Sequence, residues 1–121
     1  LSQGCVELHN EKVVRSSAGS FFHLSVVENV VFSDVLPRLK KQTFAIIATA
    51  GDASSEYTKI DPARKICLIF GSEAHGVSEE VRKTADLIVK IPKFGKADSL
   101  NVGVTCGIIL AHLKMQSFLR P

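Results

Sequence analysis

The chain has 121 residues, 45% of them apolar, which fits one domain with a buried core and argues against disorder. Its formal net charge of +3 permits an anionic partner without requiring one. The three cysteines are widely spaced and the four histidines are scattered, so we expect no metal site.

Cysteine usage and hydropathy indicate where the protein works. Cysteines without a C-x-x-C pair are typical of a reducing compartment, so we predict a cytoplasmic protein, with an organelle as the alternative. No apolar run in the sequence approaches the ~20 residues needed to cross a bilayer. We therefore expect no membrane partner.

Four segments are predicted to be helices: 11–18, 33–41, 78–84 and 99–118. Gly19 is a plausible C-cap of the first, and Ser78 followed by two glutamates is typical of a helix start. The last segment is the longest, and its apolar residues recur at helical spacing.

Short apolar runs predict three buried strands and one further candidate: 44–48, 66–70, 87–91 and, as the candidate, 27–32. Near-continuous apolar strands are typical of a parallel sheet covered on both faces. The polar segment 51–63 is predicted to be a loop. Together these elements predict one α/β domain over residues 1–121, with a mostly parallel sheet and helices on both faces.

Three turns follow the three predicted strands, at 49–51, 71–76 and 91–102. Because the carboxyl ends of parallel strands meet at one edge of a sheet, we expect these turns to converge on a ligand site. Each turn by itself is also compatible with a purely structural role. The G-x-G-x-x-G fingerprint and the P-loop are absent, which disfavours a Rossmann methyltransferase or a nucleotide triphosphatase. A flavodoxin-like domain would need a phosphate-binding loop or an acidic cluster that the sequence lacks.

The third turn combines capping residues with basic ones. Asp98 or Ser99 can cap the following helix, whereas Asn101 is a poor helix former whose amide could serve another partner. Lys93 and Lys96 flank a glycine in the same turn, which suits either a solvated surface or an anionic partner. Capping alone and ligand binding both stay open for this segment.

The order of the segments resembles the SpoU (TrmH-like) family of RNA 2′-O-ribose methyltransferases, within the SPOUT class. The resemblance covers essentially the whole chain. Residues 12–24 (KVVRSSAGSFFHL) look like the helix leading into the catalytic domain, residues 69–77 (IFGSEAHGV) like the second motif, and residues 91–102 (IPKFGKADSLNV) like the third. The resemblance implies a deep C-terminal trefoil knot, S-adenosyl-L-methionine as the methyl donor, a tRNA or rRNA substrate, and a homodimer, which we expect to form through the C-terminal helix.

The family match also implies roles for individual residues. The expected catalytic residues are Glu73, Ser99 and Asn101. The expected cofactor-binding residues are Thr49, Ala50, Gly51, Gly71, Glu73, Gly76, Ile91, Pro92, Ser99 and Leu100. We predict RNA contacts by Arg15, Lys93 and Lys96, and a structural role for His75.

One part of the family pattern is missing. The first motif, N-x-G-x-x-x-R, carries the arginine that the family uses as its activating group, and it is not found here. Arg15 stands in a different context, V-V-R-S-S-A-G, and is not assigned that role. Because the chain begins with Leu, we expect an upstream part to be missing, with true loss of the motif as the alternative. We therefore predict that residues 1–121 bind the cofactor but methylate RNA poorly, and the alternative is an inactive cofactor- and RNA-binding subunit.

Overall fold

The computed structural model describes residues 1–5, 7–72, 74–95 and 100–119. The chain divides into two compact units, Leu1–Val35 and Leu36–Pro121. The helices are α1 (Glu11–Ser16), α2 (Phe32–Lys41), α3 (Glu79–Thr84) and α4 (Val102–Leu119), and the strands are β1 (Ala45–Thr49), β2 (Ser55–Glu56), β3 (Ile66–Ile69) and β4 (Leu87–Lys90). The predicted helices are all present, with ends shifted by one to three residues.

The first unit is built around α1 and a short 3₁₀ turn at Ser20–His23. Asn10 begins α1 because its side chain accepts a 3.0 Å hydrogen bond from the Lys12 amide. The helix ends at Ser16, and its C-cap is Ser17 rather than the predicted Gly19. Gly19 has a φ of 88° and instead begins the 3₁₀ turn.

The candidate strand at 27–32 was wrong. Asn29 has a φ of 56°, which interrupts extended backbone, and Val27 is 68% exposed. A single bridge joins Ser2 to Val30 in this stretch. Phe32 already belongs to α2, so these apolar residues do not enter the sheet.

The sheet of the second unit confirms the predicted α/β class with parallel strands. Its order is β2-β4-β1-β3, and all three neighbouring pairs are parallel. The prediction of a loop over 51–63 was wrong in part, because β2 pairs with the end of β4 and a 3₁₀ turn follows at Tyr57–Lys59. β4 thus lies between β1 and β2, although β1 and β2 are consecutive in the chain.

The core is centred on β1, whose first four residues are all buried. Successive strand residues point to opposite faces, so both faces of the sheet are covered at β1. On one face, Ile109 of α4 joins a buried cluster with Ala45, Ile47 and Val89. α3 also lies against β1. The near-continuous apolar sequence of this strand follows from its burial on both sides.

α4 is apolar on most of its circumference. Within the described part of the chain it is the one helix whose 18 residues are long and apolar enough, by length and composition only, to cross a membrane. The sequence predicted a helix of about this length at 99–118. Only 6% of this stretch is buried, and Ile109 is the residue of α4 that is buried against the sheet.

Candidate functional site

A cavity of about 370 Å³ lies at the carboxyl ends of β1, β3 and β4. The predicted cofactor residues that line it are Thr49, Ala50, Gly51, Gly71, Gly76, Ile91 and Leu100. Lys93 and Asn101, predicted for RNA contact and catalysis, line it as well. The structure thus brings the three turns together at one edge of the sheet, as their position after parallel strands predicts.

Other predicted site residues are placed differently. Pro92 is described but is not among the residues that line the cavity. Glu73, Ser99 and Lys96 lie outside the described residues. Arg15 belongs to the first unit, where its guanidinium forms an exposed ion pair with Glu11 one turn earlier on α1.

The turn after β1 is fixed to both neighbouring strands. The Oγ1 of Thr49 donates a 3.3 Å hydrogen bond to the Ile69 carbonyl at the end of β3. The Ala50 amide donates a 3.0 Å bond to the Val89 carbonyl in β4. These two bonds hold the backbone of the turn at the junction of the three strands, where it forms one wall of the cavity.

The turn after β3 is closed on itself. The amide of Ser72 donates to the Gly76 carbonyl at 3.1 Å, and the Gly76 amide donates back to the Ser72 carbonyl at 2.8 Å. The Ser72 hydroxyl also accepts a 3.1 Å bond from the His75 amide. The amide of His75 thus helps to close the turn, and the structural role of its side chain stays a prediction.

Gly71 is required where this turn closes. A Cβ built on Gly71 would lie 2.0 Å from the carbonyl carbon of Gly76, a distance that no side chain can adopt. Gly76 itself has a φ of 66°, which favours glycine. The two glycines let the backbone of the turn form the cavity wall without side chains in between.

Asn101 caps α4 at the third wall of the cavity. Its Oδ1 accepts hydrogen bonds from the amides of Gly103 at 2.8 Å and Val104 at 3.3 Å. Its carbonyl accepts the first helical bond, from the Thr105 amide at 2.9 Å. The helix thus begins at Val102, three residues later than predicted, and Asn101 is a capping residue that also lines the cavity.

Opposite charges tie the first turn to α3. The guanidinium of Arg82 donates a 2.9 Å hydrogen bond to Oδ1 of Asp52, directly after the cavity residue Gly51. The hydrogen bond from Arg82 lowers the pKa of Asp52 below its ordinary value, and the charge of Lys90 adds to this effect. Asp52 therefore stays an acceptor at neutral pH and can hold the end of the turn.

Several lining residues escaped the sequence reasoning. Lys90, the last residue of β4, and Thr105, in the first turn of α4, both face the cavity. Lys90 directly precedes the predicted residue Ile91, and Thr105 stands one helical turn beyond the predicted residue Asn101. The position of Lys90 at the end of a predicted strand could have identified it as a cavity residue.

The fold and the cavity together define a class of protein. This is a parallel α/β domain with a ligand cavity built from backbone turns, small residues and a few apolar and basic side chains at the strand carboxyl ends. Its volume and mixed lining suit a ligand of nucleoside size.

Comparison with known proteins identifies the family. Residues 1–111 match the SpoU rRNA Methylase family, and the chain belongs to it. It is 34% identical over 114 residues to the 23S rRNA (guanosine(2553)-2'-O)-methyltransferase RlmP of Bacillus subtilis (strain 168), covering 94% of this chain and 46% of that protein. It is 33% identical over 101 residues to the 23S rRNA (guanosine-2'-O-)-methyltransferase RlmB of Xylella fastidiosa (strain 9a5c), covering 84% and 41%.

Solved structures agree with this membership. The SpoU methyltransferase AviRb from Streptomyces viridochromogenes, in complex with the cofactor AdoMet, superposes with a TM-score of 0.90 at 25% identity, over 98% of this chain and 49% of that one. An RNA 2'-O ribose methyltransferase superposes with a TM-score of 0.84 at 30% identity, over 96% and 45%. The chain spans about half the length of the curated relatives it matches.

Proposed function

We propose that this chain forms the cofactor-binding part of an enzyme that transfers a methyl group from S-adenosyl-L-methionine to a ribose 2′-hydroxyl of rRNA or tRNA. The observation that carries the proposal is the cavity between the three strand-end turns. It occurs in a fold shared with a SpoU methyltransferase whose structure contains AdoMet. The names of the relatives support ribose as the methylated group. None of the comparisons favours the inactive alternative.

The residues of the cavity fit this cofactor. Because Gly71 has no space for a Cβ against the Gly76 backbone, the turn after β3 closes tightly, and it contributes Gly71 and Gly76 to the cavity wall. Ile91, Leu100 and Ile109 supply apolar surface, and the hydroxyls of Ser72 and Thr105 supply polar groups. When bound, S-adenosyl-L-methionine supplies a methyl group that its positive sulfur already activates for attack.

The residues of the chain then have to align a weak nucleophile with that methyl group. Lys90 and Lys93 bring positive charge to the cavity, which favours an RNA backbone there. Asn101 fixes the first turn of α4 and hence the wall that carries Thr105. From the family match we propose that Glu73 and Ser99 complete the site, with Glu73 orienting an activating arginine. We propose further RNA contacts by Arg15 and Lys96.

We also propose that the protein forms a symmetric homodimer through α4, and that its C-terminal segment forms the trefoil knot implied by the family. The dimer is supported by an exposed apolar stripe on α4, called the outer stripe: Val104, Ile108, Met115 and Phe118, exposed by 52, 37, 64 and 75%. These four residues recur on one face of the helix. A stable dimer would bury about 1,600 Å² in total.

A methyl-transfer assay tests the proposed activity. The full gene product that contains residues 1–121 would be incubated with methyl-labelled S-adenosyl-L-methionine and either total tRNA or rRNA, and the RNA digested to nucleosides. We expect the label in 2′-O-methylated nucleosides. Label found only in methylated bases, or no incorporation although the cofactor binds in calorimetry, would contradict the proposal.

Residues 1–121 by themselves should bind cofactor but transfer methyl groups poorly. The sequence lacks the N-x-G-x-x-x-R motif, and loss of an activating group typically lowers a rate by about 10²–10⁴-fold. Calorimetry should detect S-adenosylhomocysteine binding to this piece, while its turnover stays at least about a hundredfold below that of the full product. Equal turnover by residues 1–121 and by the full product would make Arg15 and His75 the candidates for the activating group.

A further inference from the structure

Phe94 is the most exposed large apolar side chain of the described residues, with 98% of its surface open to solvent. It follows β4 in the turn that contributes Ile91 and Lys93 to the cavity. The next residue, Gly95, has a φ of 131°, a backbone conformation that residues with side chains rarely adopt. The turn therefore leaves an aromatic ring in solvent, next in sequence to a residue of the cavity wall.

The charges around Phe94 favour an anionic partner. The segment 90–96 reads K-I-P-K-F-G-K, with three lysines and no acidic residue. Two of them, Lys90 and Lys93, line the cavity. A surface that binds a protein partner through an exposed phenylalanine would carry other apolar side chains beside that ring. The residues flanking Phe94 are instead a lysine and a glycine. Cations interspersed with an aromatic ring suit a nucleic acid strand, whose phosphates and unpaired bases need both.

We propose that Phe94 is a stacking platform for an unpaired base of the RNA substrate, with Lys93 and Lys90 contacting the phosphates beside that base. The inference rests on the proposed function and deepens it, because it specifies the kind of RNA. Every base has a π-face, so stacking selects unpaired nucleotides without selecting a base. Because Lys93 lines the cavity, the stacked base would be held at the cavity, close to the ribose that receives the methyl group.

The absence of tryptophan from the sequence offers a direct probe. In the Phe94→Trp variant of residues 1–121 the only indole would stand at the proposed platform, and a short single-stranded RNA oligonucleotide should quench its fluorescence more than the same sequence in a duplex. Phe44→Trp is the control, because Phe44 directly precedes β1, at the end of that strand opposite the cavity, and has the Lys65 ammonium 5.8 Å from its ring centre. We expect no quenching there.

The alternatives give different results in the same titration. Quenching of Phe94→Trp by S-adenosylhomocysteine alone would show that the ring covers the cofactor, and would overturn the proposal. Equal quenching at positions 94 and 44, or none at position 94, would overturn it too.

Kinetics of the full gene product give a second test. Phe94→Ala should raise the KM for RNA about tenfold, in line with the loss of one base-stacking contact, while cofactor affinity and molecular mass stay unchanged. Phe94→Tyr should restore the KM and Phe94→Leu should not, because stacking needs an aromatic face. An unchanged KM in an active enzyme, or a fall in molecular mass that marks a protein contact, would overturn the stacking role alone. Quenching of residues 1–121 by RNA, together with no transferase activity in the full gene product, would support stacking and count against the proposed reaction.

Discussion

The backbone amide of Ile46 in β1 donates a 2.8 Å hydrogen bond to Oδ2 of Asp86, and the Asp86 amide donates one of 2.8 Å back to the Ile46 carbonyl. The other carboxylate oxygen, Oδ1, lies 3.0 Å from the ammonium of Lys40 at the end of α2. Asp86 directly precedes β4, so this pair of bonds sets the position of β4 beside β1. The two strands in turn hold two of the three turns that line the cavity.

Asp86→Ala should destabilise the protein. Ile46 is fully buried, so the substitution leaves a buried amide without its acceptor, at a cost of about 1–3 kcal/mol. Asp86→Asn keeps one carbonyl oxygen and should cost less. Urea unfolding followed by circular dichroism measures both. Asp61→Ala is the control, because Oδ1 of Asp61 accepts a 3.1 Å hydrogen bond from the exposed turn amide of Ala63. Equal midpoints for Asp86→Ala and the wild type would contradict this account.

The same carboxylate predicts a loss of stability in acid. Burial acts to raise the pKa of Asp86, but the bond from Ile46 and the charge of Lys40 outweigh it, so the pKa lies below the ordinary value. A carboxyl group with a lowered pKa contributes stability above its unfolded pKa of about 3.9 and loses it as the pH falls through the folded pKa. Asp86→Asn should therefore flatten the fall in unfolding free energy below about pH 4. If the unfolding free energies of Asp86→Asn and the wild type fell in parallel as the pH is lowered, other carboxylates would be responsible for the fall.

Gly71→Ala should abolish cofactor binding. The added Cβ would meet the backbone of Gly76 and Val77, which cannot move without opening the turn after β3. Gly107→Ala is the matched control, because a Cβ there has nothing within 4 Å and Gly107 does not line the cavity. Calorimetry with S-adenosylhomocysteine should show binding only to the control, and circular dichroism should show whether Gly71→Ala is folded. Wild-type affinity in Gly71→Ala would show that the turn can open without loss.

The ion pair between Asp52 and Arg82 should affect cofactor binding more than stability. Exposed ion pairs contribute little to stability because water screens them, so Arg82→Ala should leave the unfolding midpoint close to that of the wild type. It should weaken cofactor binding by no more than about fivefold, through a less ordered first turn. High salt should reduce the difference between the variant and the wild type, because it screens the pair. The exchanged variant Asp52→Arg with Arg82→Asp should recover part of the affinity. If the exchanged variant recovered no affinity and the effects of the two substitutions simply added, the ion pair would not act on the cavity.

Met115→Glu should dissociate the proposed dimer. A charge in the middle of an apolar interface cannot be solvated there, and Met115 is the outer-stripe residue that stands between Ile108 and Phe118 in the chain. Ser117→Glu adds the same charge on another side of α4 and serves as the control. Light scattering should give a monomer mass for the first variant and a dimer mass for the second. A monomer mass for the wild type would contradict the proposed dimer.

Burial on both faces allowed much of the fold to be predicted from the sequence. The strands β1, β3 and β4 could be predicted because a strand of a parallel sheet is buried on both faces and is therefore a continuous apolar run, here of four or five residues. Their near-continuous apolar sequences predicted a parallel sheet. Because the carboxyl ends of parallel strands meet at one edge, this in turn predicted that the three turns converge. The residues 49–51, Gly71 and Gly76 could thus be predicted as cavity residues without any contact being known.

Tertiary structure decided what local pattern could not. The run at 27–32 is as apolar as a strand, yet the left-handed Asn29 interrupts it, whereas the polar Ser55–Glu56 pair becomes β2 because the edge of β4 offers unpaired backbone groups. The cap of α4 fell to Asn101 rather than to an earlier residue, because its side chain reaches the Gly103 and Val104 amides. Likewise Asp86 binds an amide 40 residues away, a pairing that no local spacing encodes. The sequence by itself determined the buried strands β1, β3 and β4 and the turns that follow them, because both depend on local composition. Only the assembled sheet decided register, caps and charge pairs, since these depend on which backbone groups are left to be satisfied once the strands meet.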